Sequence, residues 1–335
     1  MRRRAALVLV AALLLTLPVT LPAAGASGAA RPVRVLFVTD LLNPASKRDL
    51  RGIAYLGFLR AVKDFKIDGR VVLIDPFQDS AQKLASFARQ KYDLVYTGIL
   101  PPESVDPVAL KFPQTKFLYP FPIGFLKHKP KNVQGMDFHD WEGSYLAGYL
   151  AALIEKRRPG KDVVSSVGGF PFGPVDHLIA GYRAGARKAD PGITTLNAYA
   201  QNFLDPAKCK AVALQQIAAG SGVVFNVAGA CGLGALEAAK ERGVWGVGVD
   251  VDQSFLGPHI LTSEVLQLDV AVYSAIGALA RGALKTGGNT VWNLRNGGVG
   301  LGKISPKVPR SFVARVERIK AQIVEGTIRV PTRLK

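Results

Sequence analysis

RVLFVTD at residues 34–40, IAYLGFLRAVKDF at 53–65 and VVLI at 71–74 decide how this chain is read. The outer pieces are short β-branched runs of the kind found in strands buried on both faces. The middle piece repeats its apolar side chains at helical spacing. Strand, helix and strand in that order make the βαβ unit of a parallel sheet. The spacing predicts strands at Val35–Thr39 and Val71–Ile74 around a helix at Ile53–Phe65.

Downstream, the same alternation predicts a helix at Ala81–Arg89, a strand at Leu94–Thr97 and, after a Pro101-Pro102 break, a short strand at Lys116–Leu118. A second series begins after Asp137 with a helix over Trp141–Ile154, opened by acidic residues at its positive end. Strands at Val163–Val167, Thr194–Ala198, Val223–Val227 and Gly246–Val249 then alternate with helices at Leu178–Lys188, Pro206–Ala219 and Leu233–Arg242. Asp205 is the expected N-cap and Pro206 the first residue of the Pro206 helix. Ile260–Ser263 and a helix at Asp269–Leu284 are expected to lead back to the first series, Val291–Leu294 to the second, and an amphipathic helix at Ser311–Glu325 to pack on a lobe. The expected organisation is therefore α/β with two Rossmann-like lobes. One comprises residues 32–137 plus about 265–290, the other residues 138–264 plus about 291–335, and several chain crossings form a hinge.

Residues 1–26 read as a signal peptide. Arg2, Arg3 and Arg4 precede an apolar run from Ala5 to Leu21, interrupted by Pro18, and Ala24-Gly25-Ala26 supplies a small-residue cleavage triplet. A membrane-spanning helix wants roughly 20 apolar residues, and Pro18 shortens this run. No Cys lies near the processing site, so the expected mature protein is periplasmic, not lipidated and not membrane-embedded. The formal charge of +18 on 335 residues would suit nucleic acid or anionic lipid. The Lys127–Lys131 and Lys156–Lys161 stretches lack interleaved aromatics, however, and read as solvated loops with no nucleic-acid partner.

The chain also carries an ordered set of landmarks. Glu142-Gly143-Ser144-Tyr145-Leu146-Ala147-Gly148-Tyr149 is followed by Gly168-Gly169, Gly181 to Gly185, Phe203-Leu204-Asp205-Pro206, Ala228 to Gly234, Gly248 to Gln253, Leu261-Thr262-Ser263 and Gly297 to Leu301. Together they resemble the basic membrane protein family, the nucleoside-binding, PnrA-like substrate-binding proteins of ABC importers. The resemblance implies a type I periplasmic binding fold, a small solute between the lobes, permease subunits in the inner membrane as partners, and no cofactor. Carried over by position, it implies ligand contacts at Asp40, Phe203, Gly229 and Asp250, and at Asp140 just before the family helix. The chain departs from the family where Leu41 follows Asp40, where Ser46 to Leu50 replaces a run ending in an aromatic, and near Leu266, where the family has a lysine. Asn43, Asp49 and Trp141 are the residues expected to compensate, although packing also accounts for Trp141.

Several residues suggest a cleft in their own right. Phe203 can stack on a flat base, an interaction of ~1–3 kcal/mol, and Phe170 and Phe172 flank Pro171 in a loop after a strand. Of Asp250 and Asp252, one is expected in the cleft and the other in a turn. The Gly229–Gly234 loop has the wrong spacing for a dinucleotide fingerprint, but its backbone N–H groups can meet a ligand oxygen. Cys209 and Cys231, the two cysteines present, are either bridged or independent packing residues. His128, His139, His177 and His259 are scattered, which predicts no metal site. His177 beside Asp176 lacks a nucleophile, and no catalytic residue is expected. The leading expectation is a monomeric, non-enzymatic transport receptor. A sensory receptor presenting its ligand to a chemoreceptor or kinase, and less readily an exported nucleoside hydrolase, are the alternatives.

Overall fold

The computed structural model describes residues 31–40, 48–160 and 162–334; the signal segment and Asn43 lie outside the described residues. The opening βαβ unit forms: β1 (Arg34–Thr39) and β2 (Asp68–Leu73) run parallel on either side of α1 (Leu50–Phe65), but β2 is the edge strand of its sheet and is mostly exposed instead of buried on both faces. Asp49 caps α1, its Oδ1 accepting the Gly52 N–H at 2.9 Å. Next come α2 (Ser80–Ala88), β3 (Leu94–Tyr96), α3 (Pro102–Lys111), β4 (Lys116–Tyr119) and β5 (Val133–Phe138). α3 is a helix where the sequence suggested a break. Pro102 sits in its first turn, where a missing N–H is harmless.

The second series comprises α4 (Asp140–Glu155), β6 (Val163–Gly168), α5 (Gly173–Ala189), β7 (Thr194–Tyr199), α6 (Pro206–Ala218), β8 (Val223–Val227), α7 (Gly232–Glu241) and β9 (Trp245–Gly248). The chain ends through β10 (Ile260–Leu266), α8 (Leu268–Ala280), β11 (Gly288–Trp292), β12 (Val299–Leu301) and α9 (Arg310–Glu325). Two six-stranded sheets result, ordered β11-β5-β4-β3-β1-β2 and β12-β10-β9-β8-β6-β7. Their strand pairs are parallel except β10 with β12. This is the two-lobed α/β architecture of type I periplasmic binding proteins.

One of the expected crossings falls elsewhere. Ile260–Ser263 lies in the second sheet, where all seven residues of β10 are buried beside β9, and α8 after it leads back to pack on α1 of the first lobe. The strand expected at Val291–Leu294 does not join the second lobe. It is β11, shifted toward the N-terminus, and pairs with β5 from Gly288 opposite Gln134 to Trp292 opposite Phe138. The return to the second sheet comes only at β12.

The three crossings, β5 to α4, β10 to α8 and β11 to β12, are bonded to one another. The His139 N–H donates to the Trp292 carbonyl at 2.8 Å and the Gln267 N–H to the Gly298 carbonyl at 2.9 Å. Glu142 Oε2 accepts the Leu294 N–H at 2.9 Å. Beside this lace, α4 and α5 meet backbone to backbone. A methyl on Gly148 would lie 1.9 Å from the Tyr182 carbonyl oxygen, and one on Gly185 as close to that of Tyr145. The glycines of the Glu142–Tyr149 and Gly181–Gly185 landmarks are thus what lets the two helices touch. Gly148→Ala is expected to destabilise the protein by about 2–3 kcal/mol through overpacking, seen as a lower urea midpoint at unchanged slope.

Candidate functional site

Several of the expected site residues lie just past the carboxyl ends of the strands, the end at which open α/β sheets hold ligands. Asp40 follows β1, Phe170 β6, Phe203 β7, Gly229 β8 and Asp250 β9.

On the first lobe, Asp40 Oδ1 accepts from Arg51 Nε at 2.6 Å. The cap at Asp49 starts α1 so that Arg51, in its first turn, points back to the end of β1. Tyr96 lies beneath, buried and stacked on Phe37 at 4.7 Å. Burial pushes its phenol up, and the nearby Arg51 charge opposes this. The crevice among Phe37, Asp40, Arg51, Tyr96, Pro120 and Leu268 holds about 10 Å³, the order of one water.

On the second lobe, Phe203 lies against the backbone of Gly169, where a methyl would fall 2.1 Å from the ring. Phe170 packs at 5.3 Å from it. The Phe203 carbonyl accepts the Cys231 N–H at 3.0 Å, and a disulfide joins Cys231 to Cys209 on α6 with the Cα atoms 5.5 Å apart. Gly229 opens this loop at φ +55°, a conformation that a side chain would strain. Phe172 precedes α5 and stays 47% exposed, on the rim rather than against Phe203.

At the hinge, three carboxyls gather. Asp250 adopts φ +66°, an uncommon conformation of the kind found at functional sites, and its N–H donates to Glu264 Oε2 at 3.3 Å. Burial raises the Asp250 carboxyl to about 6, while Arg51 from the opposite lobe pulls it down. Asp140, the first residue of α4, is held well above the usual carboxylate range by burial and then by Asp250. Glu264, in the middle of β10, is raised by burial and then by Asp140 and Asp250.

The structure thus brings Asp40, Asp140 and Asp250 into one electrostatic neighbourhood, and Phe170 and Phe203 into another. Asp49 gives an oxygen to the α1 cap. Trp141 is engaged in packing: its ring stacks on His139 at 4.4 Å and meets His177 edge-on at 5.4 Å, and its carbonyl abuts Gly181. Asp252 accepts the Ser254 N–H at 3.0 Å, the turn role expected of one of the two acids. Sequence reasoning missed Arg51, Tyr96 and Glu264. Only Glu264 had a signal, as an acid inside the apolar run Ile260–Leu266.

Residues 52–333 match the family described as Bmp, ABC transporter substrate-binding protein PnrA-like. The chain belongs to that family. Basic membrane protein A1 of Borrelia garinii subsp. bavariensis is 32% identical over 67% of this chain and 66% of its own. The ABC transporter nucleoside-binding protein BmpA of Lactococcus lactis subsp. cremoris is 28% identical over 74% of each. Among solved structures, an ABC transporter solute-binding protein from Aeropyrum pernix K1 superposes with a TM-score of 0.78 at 24% identity, covering 91% of this chain and 94% of that one. The family is thus one of ABC transporter substrate-binding proteins, which work outside the cytoplasmic membrane. Among the described residues, no helix is long and apolar enough to cross a membrane.

Two predictions concern the site's own physics. Because Asp250 is raised in the folded state, its contribution to stability is full below the ordinary carboxylate value and lost as pH rises through about 6. Asp250→Asn should therefore flatten the decline in the unfolding midpoint between about pH 4 and 6. Replacing both Cys209 and Cys231 by Ala should cost about 3 kcal/mol, the chain-entropy expectation for a loop of this length, measured by denaturant unfolding without reductant.

Proposed function

We propose that this protein is the periplasmic, non-lipidated and monomeric solute receptor of an ABC importer. It encloses a small heterocyclic solute, a nucleoside first among the candidates, and hands it to permease subunits in the inner membrane. The observation that carries the reading is the pairing of a flat aromatic wall with opposed hydrogen-bonding groups at the strand ends of both lobes. Phe203, backed by Gly169 and Phe170, offers a face to a planar base, and Asp40 and Asp250 are placed to accept hydroxyl or ring N–H donors. The nucleoside-binding relative supports this choice of solute.

Admission requires motion. The lobes open about the laced crossings to take the solute and close on it, the transition by which two-lobed binding proteins enclose a ligand. Arg48, whose guanidinium lies 5.1 Å from the Phe255 ring of the opposite lobe, and Arg51, which acts on Asp250, are the contacts that opening breaks.

A thermal-shift screen with purine and pyrimidine nucleosides and free bases tests the reading. Solute at a hundredfold excess over Kd should add about 2.7 kcal/mol of stability, and a flat response to all of them would overturn it. With a binder in hand, Phe203→Ala should weaken calorimetric affinity by about 5- to 100-fold through lost stacking, without changing the far-ultraviolet circular dichroism.

A further inference from the structure

A second cavity lies away from the cleft, and its lining is basic. It has a volume of about 310 Å³ and opens to solvent, a size at the lower end of pockets that hold small molecules, ~300–1,000 Å³. Gly222 immediately precedes β8 and Trp245 opens β9, so the cavity sits at the amino ends of the second sheet's strands, opposite the end that carries Phe203, Gly229 and Asp250. Arg157 and Arg158 line it from the turn after α4, and Lys307 from the segment between β12 and α9.

One acid, Glu155, lines the cavity with these three cations, and that acid is already spent. Its side chain is 1% exposed, and its Oε1 accepts from Arg158 Nη2 at 2.6 Å and from the Val163 N–H at 3.3 Å. The pair lies against bare backbone, for a methyl on Gly222 would fall 2.1 Å from Glu155 Oε2 and 2.5 Å from Arg158 Nε. Arg158 donates through Nε and Nη2, which leaves its Nη1 side for another acceptor. Arg157 lies 6.0 Å from the Phe312 ring and Lys307 5.8 Å from the Trp245 ring. Among the described residues, neither of these two side chains meets a carboxylate or donates a hydrogen bond. A helix C-terminus attracts cations, which accounts for arginines after α4. It does not account for Lys307, which comes from a distant part of the chain and stands by the indole at the same cavity. Like charges around one hollow repel each other, and an anion inside it turns that repulsion into attraction.

We propose that this cavity is a second ligand site, one for an organic phosphate. The phosphoryl group, with about −1.5 to −2 charges at pH 7, accepts from Arg157, Lys307 and Arg158 Nη1, and the flat or apolar remainder of the molecule lies on Trp245. Guanidinium groups suit this ligand because their forked N–H groups match phosphate oxygens. The site is independent of the solute held between the lobes.

The test uses phenyl phosphate, which joins a flat ring to the charged group, on the full mature protein. Trp141, Trp245 and Trp292 are the three tryptophans and give three indole cross-peaks in a nitrogen–proton correlation spectrum, of which Trp245→Phe identifies the relevant one. That cross-peak is expected to shift saturably, with an affinity about threefold or more above that for inorganic phosphate, through the indole contact. Replacing the exposed Arg157 and Lys307 together by Gln is expected to weaken phenyl phosphate binding about tenfold or more at an unchanged melting temperature. An unmoved Trp245 cross-peak overturns the inference. So do a shift confined to Trp141 or Trp292, equal affinity for inorganic phosphate, and a double variant that melts like the parent and keeps full affinity. Sedimentation with phosphatidylcholine vesicles, with and without phosphatidylglycerol, then separates the sources of the phosphate. Binding to phosphatidylglycerol that is lost in the Arg157 and Lys307 variant, but kept when Lys127 and Lys129 are replaced by Gln, makes the ligand a lipid headgroup. Vesicle binding that both variants share, or none, makes it a soluble organic phosphate.

Discussion

The hydrogen bonds that tie the three chain crossings to one another are the constraint on which the cleft depends. Each crossing alone would be a short extended linker free to shear. With His139 bonded to Trp292, Gln267 to Gly298, and Leu294 to the carboxylate of Glu142, the three are tied into one strip, and on the proposed reading the lobes rotate about it. Asp140 begins α4 immediately after the first crossing, and Glu264 lies two residues before the end of β10, where the second begins. Two of the acids whose carboxyls burial raises therefore sit beside the crossings.

This placement divides the electrostatics by distance. The chain carries a formal charge of +18, and its interior gap is acidic around Arg51. Surface charge is screened within about 8 Å at physiological ionic strength, so the basic exterior has little say over what is held inside. Buried carboxyls are governed by their immediate partners, because desolvation outweighs weak long-range attraction. Burial is the leading cause of the upward displacement of Asp140, Asp250 and Glu264 alike. Selection in such a chamber is a short-range matter of which donor reaches which oxygen.

The same division separates what the sequence makes legible from what it hides. The fold class and the family can be read because both rest on local pattern: strand and helix periods, and glycines that two touching helices demand at Gly148 and Gly185. Which sheet a strand joins is not local. The strand around Val291 has the right composition for either lobe, and only the pairing with β5 decides. α3 was hidden because Pro101-Pro102 signals a break and equally suits a helix start. Among the site residues, Asp40, Phe203, Gly229 and Asp250 are visible because each follows a recognisable strand. Arg51 and Tyr96 acquire meaning only through partners far away in sequence. Trp141 shows the converse, an aromatic beside the cleft helix whose ring is taken up by His139 and His177.

The two walls of the gap differ in how much ordering a solute would have to impose. The Phe203 ring is seated on Gly169, its carbonyl holds the Cys231 N–H, and the disulfide fixes that loop to α6. A residue held from three directions has little conformational entropy left to lose, so stacking energy there is returned almost in full as affinity. The opposite wall is a charged pair, Asp40 with Arg51, whose partners change when the lobes part. On the proposed reading, a planar solute first settles on the rigid aromatic wall of the second lobe. Closure then delivers the guanidinium of Arg51 and the carboxylate of Asp40 from the first lobe. A solute that stacks but offers no donor to Asp40 or acceptor to Arg51 would occupy the open form without stabilising the closed one, and the closed form is the one an importer must recognise.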